Sequence, residues 1–179
     1  GLCIAGGAAV GDVLAALEHI EGARGRLERV RAGEAGGGAE VYVDYAHTPD
    51  GLETVLKALR PHVRGRLIVV FGAGGDRDRA KRPLMGQVAA ELADLAIVTD
   101  DNPRSEDAAV IRAQVRNGCP DAEEIGDRRL AIHSAIDRAR AGDVVLIAGK
   151  GHEQGQIVGK TVHPFDDVTV ATEALSVHA

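Results

Sequence analysis

The stretch Leu95-Ala96-Ile97-Val98-Thr99-Asp100-Asp101-Asn102-Pro103-Arg104 decides the fold. Its first four residues are apolar, which is typical of a short buried strand. The polar residues Ser105-Glu106-Asp107 follow and indicate the start of a helix near 106–117. An acid, an amide and a guanidinium therefore stand at the carboxyl end of a predicted parallel strand, where open α/β sheets bind ligands. This mixture of charges favours a ligand that carries both ammonium and carboxylate groups, such as an amino acid.

The same alternation of strand and helix continues along the chain. Apolar segments predict strands at 41–45, 67–71, 95–98 and 143–148, a weak strand at 123–125, and a short strand or hairpin at 156–163. Helical spacing predicts helices at 8–20, 48–59, 83–92, 106–117, 130–139 and 168–177. Continuous apolar strands that alternate with helices favour a parallel sheet covered on both faces. We therefore expect an α/β fold with a Rossmann-like, doubly wound, mostly parallel sheet and helices on both faces.

Composition limits the possible functions. The 179 residues allow one ordinary domain plus a remnant, and at 45% hydrophobic and 2% aromatic residues the core must consist mainly of aliphatic side chains. A formal net charge of −6 argues against nucleic-acid binding, and no apolar run is long enough to predict a membrane span. Residues 1–9 do not resemble a signal peptide. Cys3 and Cys119 do not suggest a disulfide framework, so we expect a cytoplasmic protein.

Four loops that follow predicted strands combine glycine with charge. They are Asp44–Asp50, Gly72–Asp78, Thr99–Arg104 and Gly149–Glu153. Because parallel strands end at the same edge of a sheet, we expect these loops to converge there. Two purely structural alternatives stay open. The first loop can simply cap the helix that Thr48 and Pro49 begin, and the second can be no more than a tight turn.

Two phosphate-binding motifs are rejected. Gly159-Lys160-Thr161 resembles the end of a P-loop, but Gln154 stands where the motif requires glycine, so a surface turn is favoured. The Gly72–Arg77 segment has Arg77 where a dinucleotide fingerprint has its third glycine, which disfavours a nicotinamide enzyme. Cysteines and histidines lack the spacing of zinc ligands, so no metal site is predicted in this chain.

Taken together, several motifs closely resemble the C-terminal part of the Mur ligases. The residues that carry the resemblance are Gly25-Arg26-Leu27-Glu28, Asp44-Tyr45-Ala46-His47-Thr48-Pro49, Gly74-Gly75-Asp76-Arg77-Asp78, Lys81-Arg82-Pro83-Leu84-Met85, Asp101-Asn102-Pro103-Arg104, Gly149-Lys150-Gly151-His152-Glu153 and Phe165-Asp166-Asp167. Within that family, a DNPR motif that ends in arginine resembles the motif of members that add meso-diaminopimelate to UDP-N-acetylmuramoyl-L-alanyl-D-glutamate. Lysine-adding members lack this arginine.

The resemblance implies a substrate site for meso-diaminopimelate. The residues that it implies are Arg77, Asp101, Asn102, Pro103, Arg104, Gly149 and Glu153. The chemistry agrees, because the distal carboxylate that distinguishes meso-diaminopimelate from L-lysine suits two charge-assisted hydrogen bonds from the Arg104 guanidinium. A site that buries Arg104 should reject lysine, which would leave the guanidinium unpaired. The Asp101 and Glu153 carboxylates suit ammonium groups.

The resemblance also implies a reaction. In such ligases ATP phosphorylates the D-glutamate carboxylate, the incoming amine attacks the acyl phosphate, and phosphate leaves, so that alignment of three ligands is the main task. The residues implied on the ATP and phosphate side are Arg26, Asp44, Tyr45 and His47, and those in supporting roles are Lys150, His152 and Asp167. Asp44 can alternatively be a structural cap.

The domain organisation follows from the same resemblance. Residues 1–30 are expected to be the terminal helix and exit strand of a central ATPase domain, and residues 31–179 the C-terminal amino-acid-binding domain. ATP and Mg²⁺ are expected to bind mainly to the central domain, which this sequence lacks, so the fragment alone should be inactive. Expected partners are meso-diaminopimelate, UDP-N-acetylmuramoyl-dipeptide, ATP and the remaining ligase domains, without nucleic acid or membrane. The alternatives are a free-standing amino-acid-binding module and a related Mur or folylpolyglutamate-type ligase.

These interpretations make one geometric prediction. Arg77, Asp101, Arg104, Gly149 and Glu153 should line a single open, polar cleft, although they are far apart in sequence. The Arg104 guanidinium and the Glu153 carboxylate should lie within roughly 15 Å of each other in a site that tightens on binding. His47 and Asp44 should lie on the side that faces the missing domains.

Overall fold

A computed structural model describes residues 2–17, 22–31 and 38–177. The strands are β1 Glu28–Val30, β2 Glu40–Asp44, β3 Leu67–Phe71, β4 Leu95–Val98, β5 Glu123–Glu124, β6 Val144–Ala148, β7 Gly155–Val158 and β8 Thr161–Pro164. The α-helices are α1 Leu2–Ala5, α2 Val10–Leu17, α3 Pro49–Leu59, α4 Lys81–Leu92, α5 Ala108–Arg116, α6 Arg128–Arg138 and α7 Asp167–Ser176, with a 3₁₀ turn at Arg60–His62. The last part of the helix predicted at 8–20 lies outside the described residues.

Six strands form one sheet in the order β1-β2-β6-β3-β4-β5. Only β1 runs antiparallel to its neighbour, and the other pairings are parallel, with Val43 and Val70 both opposite Ile147 of β6. The predicted doubly wound, mostly parallel sheet is therefore confirmed. β1, which belongs to the segment 1–30, pairs with β2 and thus shares the sheet of the C-terminal part.

Two apolar layers cover the sheet, because successive strand residues point to opposite faces. In β3, Leu67, Val69 and Phe71 pack with helices α3, α4 and α5 on one side. Ile68 and Val70 pack on the other side, with the apolar residues of α6 and α7. Phe71 is the only aromatic residue in either buried cluster of the described chain, so the core is aliphatic, as the composition predicts.

Side-chain caps fix where the helices begin, directly after the loops. The Thr48 hydroxyl accepts from the Gly51 N–H at the start of α3, and the Asp107 carboxylate accepts from Ala109 at the start of α5. Asp127 caps α6 in the same way, so this helix begins at Arg128, two residues before its predicted start. Each such cap contributes about 1 kcal/mol to stability.

The segment predicted as a short strand or hairpin is a hairpin. Strands β7 and β8 pair antiparallel and form a small sheet of their own. Gly159 and Lys160 form its turn, with Gly159 at a φ of +59°, so the rejection of the P-loop motif in favour of a surface turn is confirmed. Among the helices of the described residues, none has the length and apolar character needed to cross a membrane.

Candidate amino-acid-binding site

The loops at the carboxyl ends of β2, β3, β4 and β6 enclose a cleft of about 400 Å³, within the usual range for small-molecule sites. Its lining residues are Tyr45, His47, Thr48, Gly72, Gly74, Arg77, Asp78, Lys81, Asp101, Asn102, Arg104, Gly149 and Glu153. Six of the seven residues expected on the substrate side are therefore brought together. The exception is Pro103, which is buried behind the cleft wall.

Glycines allow two of these loops to interlock. A Cβ atom on Gly72 would lie 2.3 Å from the Thr99 carbonyl oxygen, and one on Gly75 would lie 1.9 Å from that of Pro103. The Gly75 N–H donates to the Asn102 carbonyl at 2.9 Å. The glycines Gly72 and Gly75 thus allow the two loops to pack closely, which agrees with the purely structural alternative for Gly72–Gly75. Arg77, further along the same loop, lines the cleft.

Arg104 has a backbone that few residues adopt and a guanidinium in the cleft wall. Its φ of +53° lies in the left-handed region. One guanidinium nitrogen, Nη1, donates to the Gly75 carbonyl at 2.8 Å, and the half-buried side chain lines the cleft. Arg77 is exposed and donates from Nη1 to the Asp76 carbonyl at 3.0 Å. Two guanidinium groups thus offer further N–H donors to anionic groups of a ligand.

Two carboxylates supply the opposite charge. Asp101 is buried, and its Oδ1 accepts from the Asn102 N–H at 2.6 Å. Its Oδ2 faces Gly149, which has a φ of +120° and whose hypothetical Cβ would lie 2.7 Å from that oxygen. Glu153 Oε2 accepts from Asn102 Nδ2 at 2.9 Å and from Lys150 Nζ at 3.3 Å. Gly149 is therefore required for Asp101 to reach the cleft.

Asn102 connects the two charged walls. Arg104 Nη1 approaches its carbonyl oxygen at 3.5 Å, and its side-chain amide donates to Glu153 at 2.9 Å. The Arg104 guanidinium and the Glu153 carboxylate therefore contact the same residue and stand on the same side of the sheet edge. Lys150, fully buried, donates from Nζ to Asn102 Oδ1 at 3.0 Å and fixes the orientation of this amide.

A buried ion pair between Arg128 and Asp167 holds two of the strand ends that carry the cleft loops. Arg128 donates from Nε and Nη2 to the two carboxylate oxygens of Asp167 at 2.8 and 2.7 Å, and both side chains are fully buried. Arg128 also donates from Nη2 to the carbonyl of Ala148 at 3.0 Å and from Nη1 to that of Asp100 at 3.5 Å. Burial acts to lower the pKa of Arg128, but the Asp167 carboxylate together with those of Asp101 and Glu153 raises it. The pair thus ties together the ends of β4 and β6.

Aromatic and cationic groups cluster around Tyr45, which lines the cleft. The Arg26 guanidinium stands 4.9 Å from the centre of the Tyr45 ring, a cation–π distance. The rings of His47 and His152 lie 4.6 and 5.0 Å from that of Tyr45. Gly25 allows the 151–152 backbone to approach so closely, because a Cβ at its position would lie 2.2 Å from the backbone nitrogen of His152. Three residues predicted from sequence, Arg26, His47 and His152, are thus brought together around Tyr45.

Asp44 stands apart from the cleft. Its two carboxylate oxygens accept from the backbone N–H groups of Leu27 and Ala46, both at 2.8 Å. With Arg26 it lines a separate hollow of about 370 Å³. These contacts favour the alternative in which Asp44 is a structural cap that fixes the turn after β2.

Sequence reasoning did not single out three residues that shape the site. Lys81 lines the cleft and donates from Nζ to the His47 carbonyl at 2.7 Å, and burial lowers its pKa. Arg82 is fully buried and donates to the Gly74 carbonyl, and Gln156 donates to the Asp101 carbonyl at 2.8 Å. Lys81 and Arg82 belong to one of the motifs quoted for the resemblance, which was the available signal. Over the described residues, no group of three potential metal ligands is present.

Comparison with known proteins decides the family. Residues 25–151 match the family model described as "Mur ligase, glutamate ligase domain". The chain belongs to the Mur ligase family. Among curated relatives, the UDP-N-acetylmuramoyl-L-alanyl-D-glutamate–2,6-diaminopimelate ligases of Caulobacter vibrioides and Zymomonas mobilis are 66% and 63% identical to this Mur ligase chain. Each match covers 98% of this chain and 36% of the relative, so the chain spans little more than a third of their length.

Solved structures agree with the family assignment. The structure of a UDP-N-acetylmuramoyl-L-alanyl-D-glutamate–2,6-diaminopimelate ligase is 44% identical, with a TM-score of 0.81 over 97% of this Mur ligase chain and 36% of the solved one. A UDP-N-acetylmuramate-alanine ligase from Thermotoga maritima has a TM-score of 0.64 at 18% identity over 99% of this chain and 35% of its own, which shows the shared fold alone. The same holds for a folylpolyglutamate synthase from Thermotoga maritima, at 22% identity and a TM-score of 0.59 over 79% of this chain and 31% of its own.

Proposed function

We propose that this Mur ligase chain is the C-terminal, amino-acid-binding domain of an ATP-dependent ligase that adds meso-diaminopimelate to UDP-N-acetylmuramoyl-L-alanyl-D-glutamate. The observation that carries the proposal is the charge arrangement of the cleft, with guanidinium groups from Arg77 and Arg104 and carboxylates from Asp101 and Glu153. Meso-diaminopimelate carries a carboxylate and an ammonium group at each end. The names of the two similar curated relatives add support.

In this proposal Arg104 selects the substrate. Its guanidinium forms two charge-assisted hydrogen bonds with the distal carboxylate, which L-lysine lacks. Because Arg104 is half-buried and one nitrogen is already held by the Gly75 carbonyl, it cannot turn freely into solvent when that carboxylate is missing. Lysine therefore leaves donors unpaired, and rejection follows. The Asp101 and Glu153 carboxylates bind ammonium groups, and Gly149 leaves space for the substrate.

The domain contributes alignment to the reaction. ATP phosphorylates the D-glutamate carboxylate of the precursor, the amine of the bound amino acid attacks the carbonyl carbon of the acyl phosphate, and phosphate leaves. Holding the amine in place turns a bimolecular attack into an effectively unimolecular one. In the proposal, Arg26, Tyr45 and His47 face the ATP and phosphate groups, and His152 supports them through Tyr45.

ATP and Mg²⁺ are assigned mainly to other domains of the same polypeptide. The described residues offer no group of three potential metal ligands, and Gly159-Lys160-Thr161 forms the hairpin turn and the first residue of β8. Arg26 is the cationic group of this chain that we assign to the ATP phosphates, where its role is to neutralise developing negative charge. The proposed substrates are an amino acid and two nucleotide-containing compounds, all of them small and polar. We therefore place the reaction in the cytoplasm.

A comparison of amino-acid substrates tests the proposal. The complete polypeptide that contains this domain is incubated with ATP and UDP-N-acetylmuramoyl-dipeptide, and kcat/KM is measured for meso-diaminopimelate, L-lysine and L-glutamate. We expect meso-diaminopimelate to be preferred over L-lysine by at least about tenfold to a hundredfold, the value of a charge-assisted contact. Preference for L-glutamate would indicate a folylpolyglutamate-type ligase, and binding without ligation would indicate a free-standing module.

A further inference from the structure

The β7–β8 hairpin has no place in the doubly wound sheet. It forms a two-stranded sheet of its own and lies beyond residue 151, where the match to the family model ends. Neither buried apolar cluster of the described chain contains a residue of the hairpin, and Val158 and Val162 are 47% and 63% exposed. The hairpin therefore contributes little to the core of the domain.

Its contacts go instead to the loop that carries Arg104. Gln156 Nε2 donates to the Asp101 carbonyl at 2.8 Å, and the Ile157 N–H donates to Asn102 Oδ1 at 2.9 Å. The Arg104 N–H donates to the Ile157 carbonyl at 3.0 Å, and the Arg104 carbonyl accepts from the Gly159 N–H at 2.7 Å. Four hydrogen bonds thus join the hairpin to Asp101, Asn102 and Arg104 in one cleft wall.

The backbone of Arg104 needs such support. A φ of +53° is strained for a residue with a side chain and persists only where the surroundings fix it. The hairpin binds both the N–H and the carbonyl of Arg104, which pairs with Val158 in an isolated parallel bridge. Return of Arg104 to a relaxed φ would break these bonds and turn the guanidinium away from the Gly75 carbonyl that it now contacts.

We propose that the β7–β8 hairpin determines amino-acid specificity by holding the Asp101–Arg104 loop in the conformation that presents its charged groups to the cleft. Gln156 is the positioning residue within it, because it is the hairpin side chain that binds this loop. The inference rests on the proposed function and assigns the selection of the distal carboxylate to a second element besides Arg104 itself. The hairpin acts through the loop, so its loss changes how well the amino acid binds and leaves ATP binding unaffected.

The test compares Gln156→Ala with Lys160→Ala in the complete polypeptide. Lys160 stands in the exposed hairpin turn and serves as the control. For Gln156→Ala we expect the KM for meso-diaminopimelate to rise about threefold to tenfold, the range for one lost hydrogen bond. The preference for meso-diaminopimelate over L-lysine should fall by a similar factor. The KM for ATP and the melting temperature should match those of Lys160→Ala.

Hydrogen exchange gives an independent measurement without substrate. In Gln156→Ala the backbone amides of Asn102 and Arg104 should exchange faster than in the wild type, and in Lys160→Ala they should not. Unchanged exchange and unchanged preference in Gln156→Ala would overturn the proposal. So would an equal loss of activity with both amino acids together with a lower melting temperature, since that indicates a merely structural role. A wild type that shows no preference for meso-diaminopimelate refutes the proposed function itself, and this outcome is visible without any variant.

Discussion

At the scale of single residues, Arg104 combines a fixed backbone with a partly free side chain. Its main chain is held by Ile157 and Gly159, and its Nη1 by the Gly75 carbonyl. Because the guanidinium is already positioned, little rotamer entropy is lost when a carboxylate binds to the remaining N–H groups. A lysine at this position would offer a flexible point charge in place of a planar fork.

Arg104→Ala in the complete polypeptide tests this role directly. We expect kcat/KM for meso-diaminopimelate to fall by about tenfold to a hundredfold, because a contact worth about 1.5–3 kcal/mol is lost. The KM for ATP should stay within about twofold, since that ligand is assigned mainly to other domains and, in this chain, to Arg26, Tyr45 and His47. Arg129→Ala is the matched control, because Arg129 pairs with Glu173 on the exposed faces of α6 and α7. Unchanged kinetics in Arg104→Ala would exclude Arg104 from substrate selection.

The residues of the cleft differ in how far the sequence predicts them. Asp101 and Arg104 could be singled out because charged side chains directly follow an apolar strand. Arg82 and Gln156 could not be singled out in this way. Their partners Glu106 and Asp101 are 24 and 55 positions away, and these contacts depend on how the loops pack. Asp44 has the right residue type and place in sequence, yet its oxygens are taken by backbone N–H groups of its own turn and of the segment before β1.

At the scale of elements, one carboxylate fastens two loops of the cleft to helix α4. Glu106 accepts from Arg82 Nη1 and Nη2 at 3.0 and 2.8 Å, and from the Asp76 N–H at 2.7 Å. Arg82 also donates to the Gly74 carbonyl at 3.2 Å. The hydrogen bonds from Arg82, followed by that from Asp76, lower the pKa of Glu106 from 4.5 to about 2.

This pKa predicts how stability depends on pH. A carboxylate whose pKa is lower in the folded state stabilises the fold fully above its unfolded pKa, and this contribution is lost as the pH falls through the folded pKa. For Glu106 the loss occurs between about pH 4.5 and about pH 2. Glu106→Gln should therefore lower the melting temperature at pH 7 and reduce the difference from wild type as the pH falls to about 2. Glu173→Gln, at an exposed ion pair, is the control, and a constant difference across this range would contradict the prediction.

The elements themselves were largely predictable. The strands Leu67–Phe71 and Leu95–Val98 have the predicted bounds, because each is a short apolar run between polar residues. β1 shows what is harder to predict: Glu28–Val30 lies where the sequence predicts a strand, but its antiparallel place beside β2 depends on the sheet edge that is available there. Similarly, the sequence left strand or hairpin open at 156–163, and pairing within the segment decides it.

At the scale of the whole molecule, the proposed function assigns the amino-acid site to this chain and most of the ATP chemistry to other domains of the same polypeptide. We expect this chain alone to release no ADP and to form no tripeptide product, because its sequence contains no complete P-loop motif. The complete polypeptide under the same conditions is the positive control, and coupled detection of ADP together with chromatography of the nucleotide product is the measurement. Tripeptide formation by the chain alone would refute the proposed division of labour.

The chain contains no tryptophan and two tyrosines, and one of them, Tyr45, is the ring around which Arg26, His47 and His152 gather. Under excitation that phenylalanine does not absorb, the intrinsic ultraviolet emission of the protein therefore comes from these two tyrosines alone. The other, Tyr42, donates to Glu40 at 2.6 Å within β2, away from the cleft. Replacing Tyr42 by phenylalanine would leave a single emitter at the edge of the cleft. The domain thus carries a built-in optical probe, through which events around Tyr45 can be followed without a chemical label.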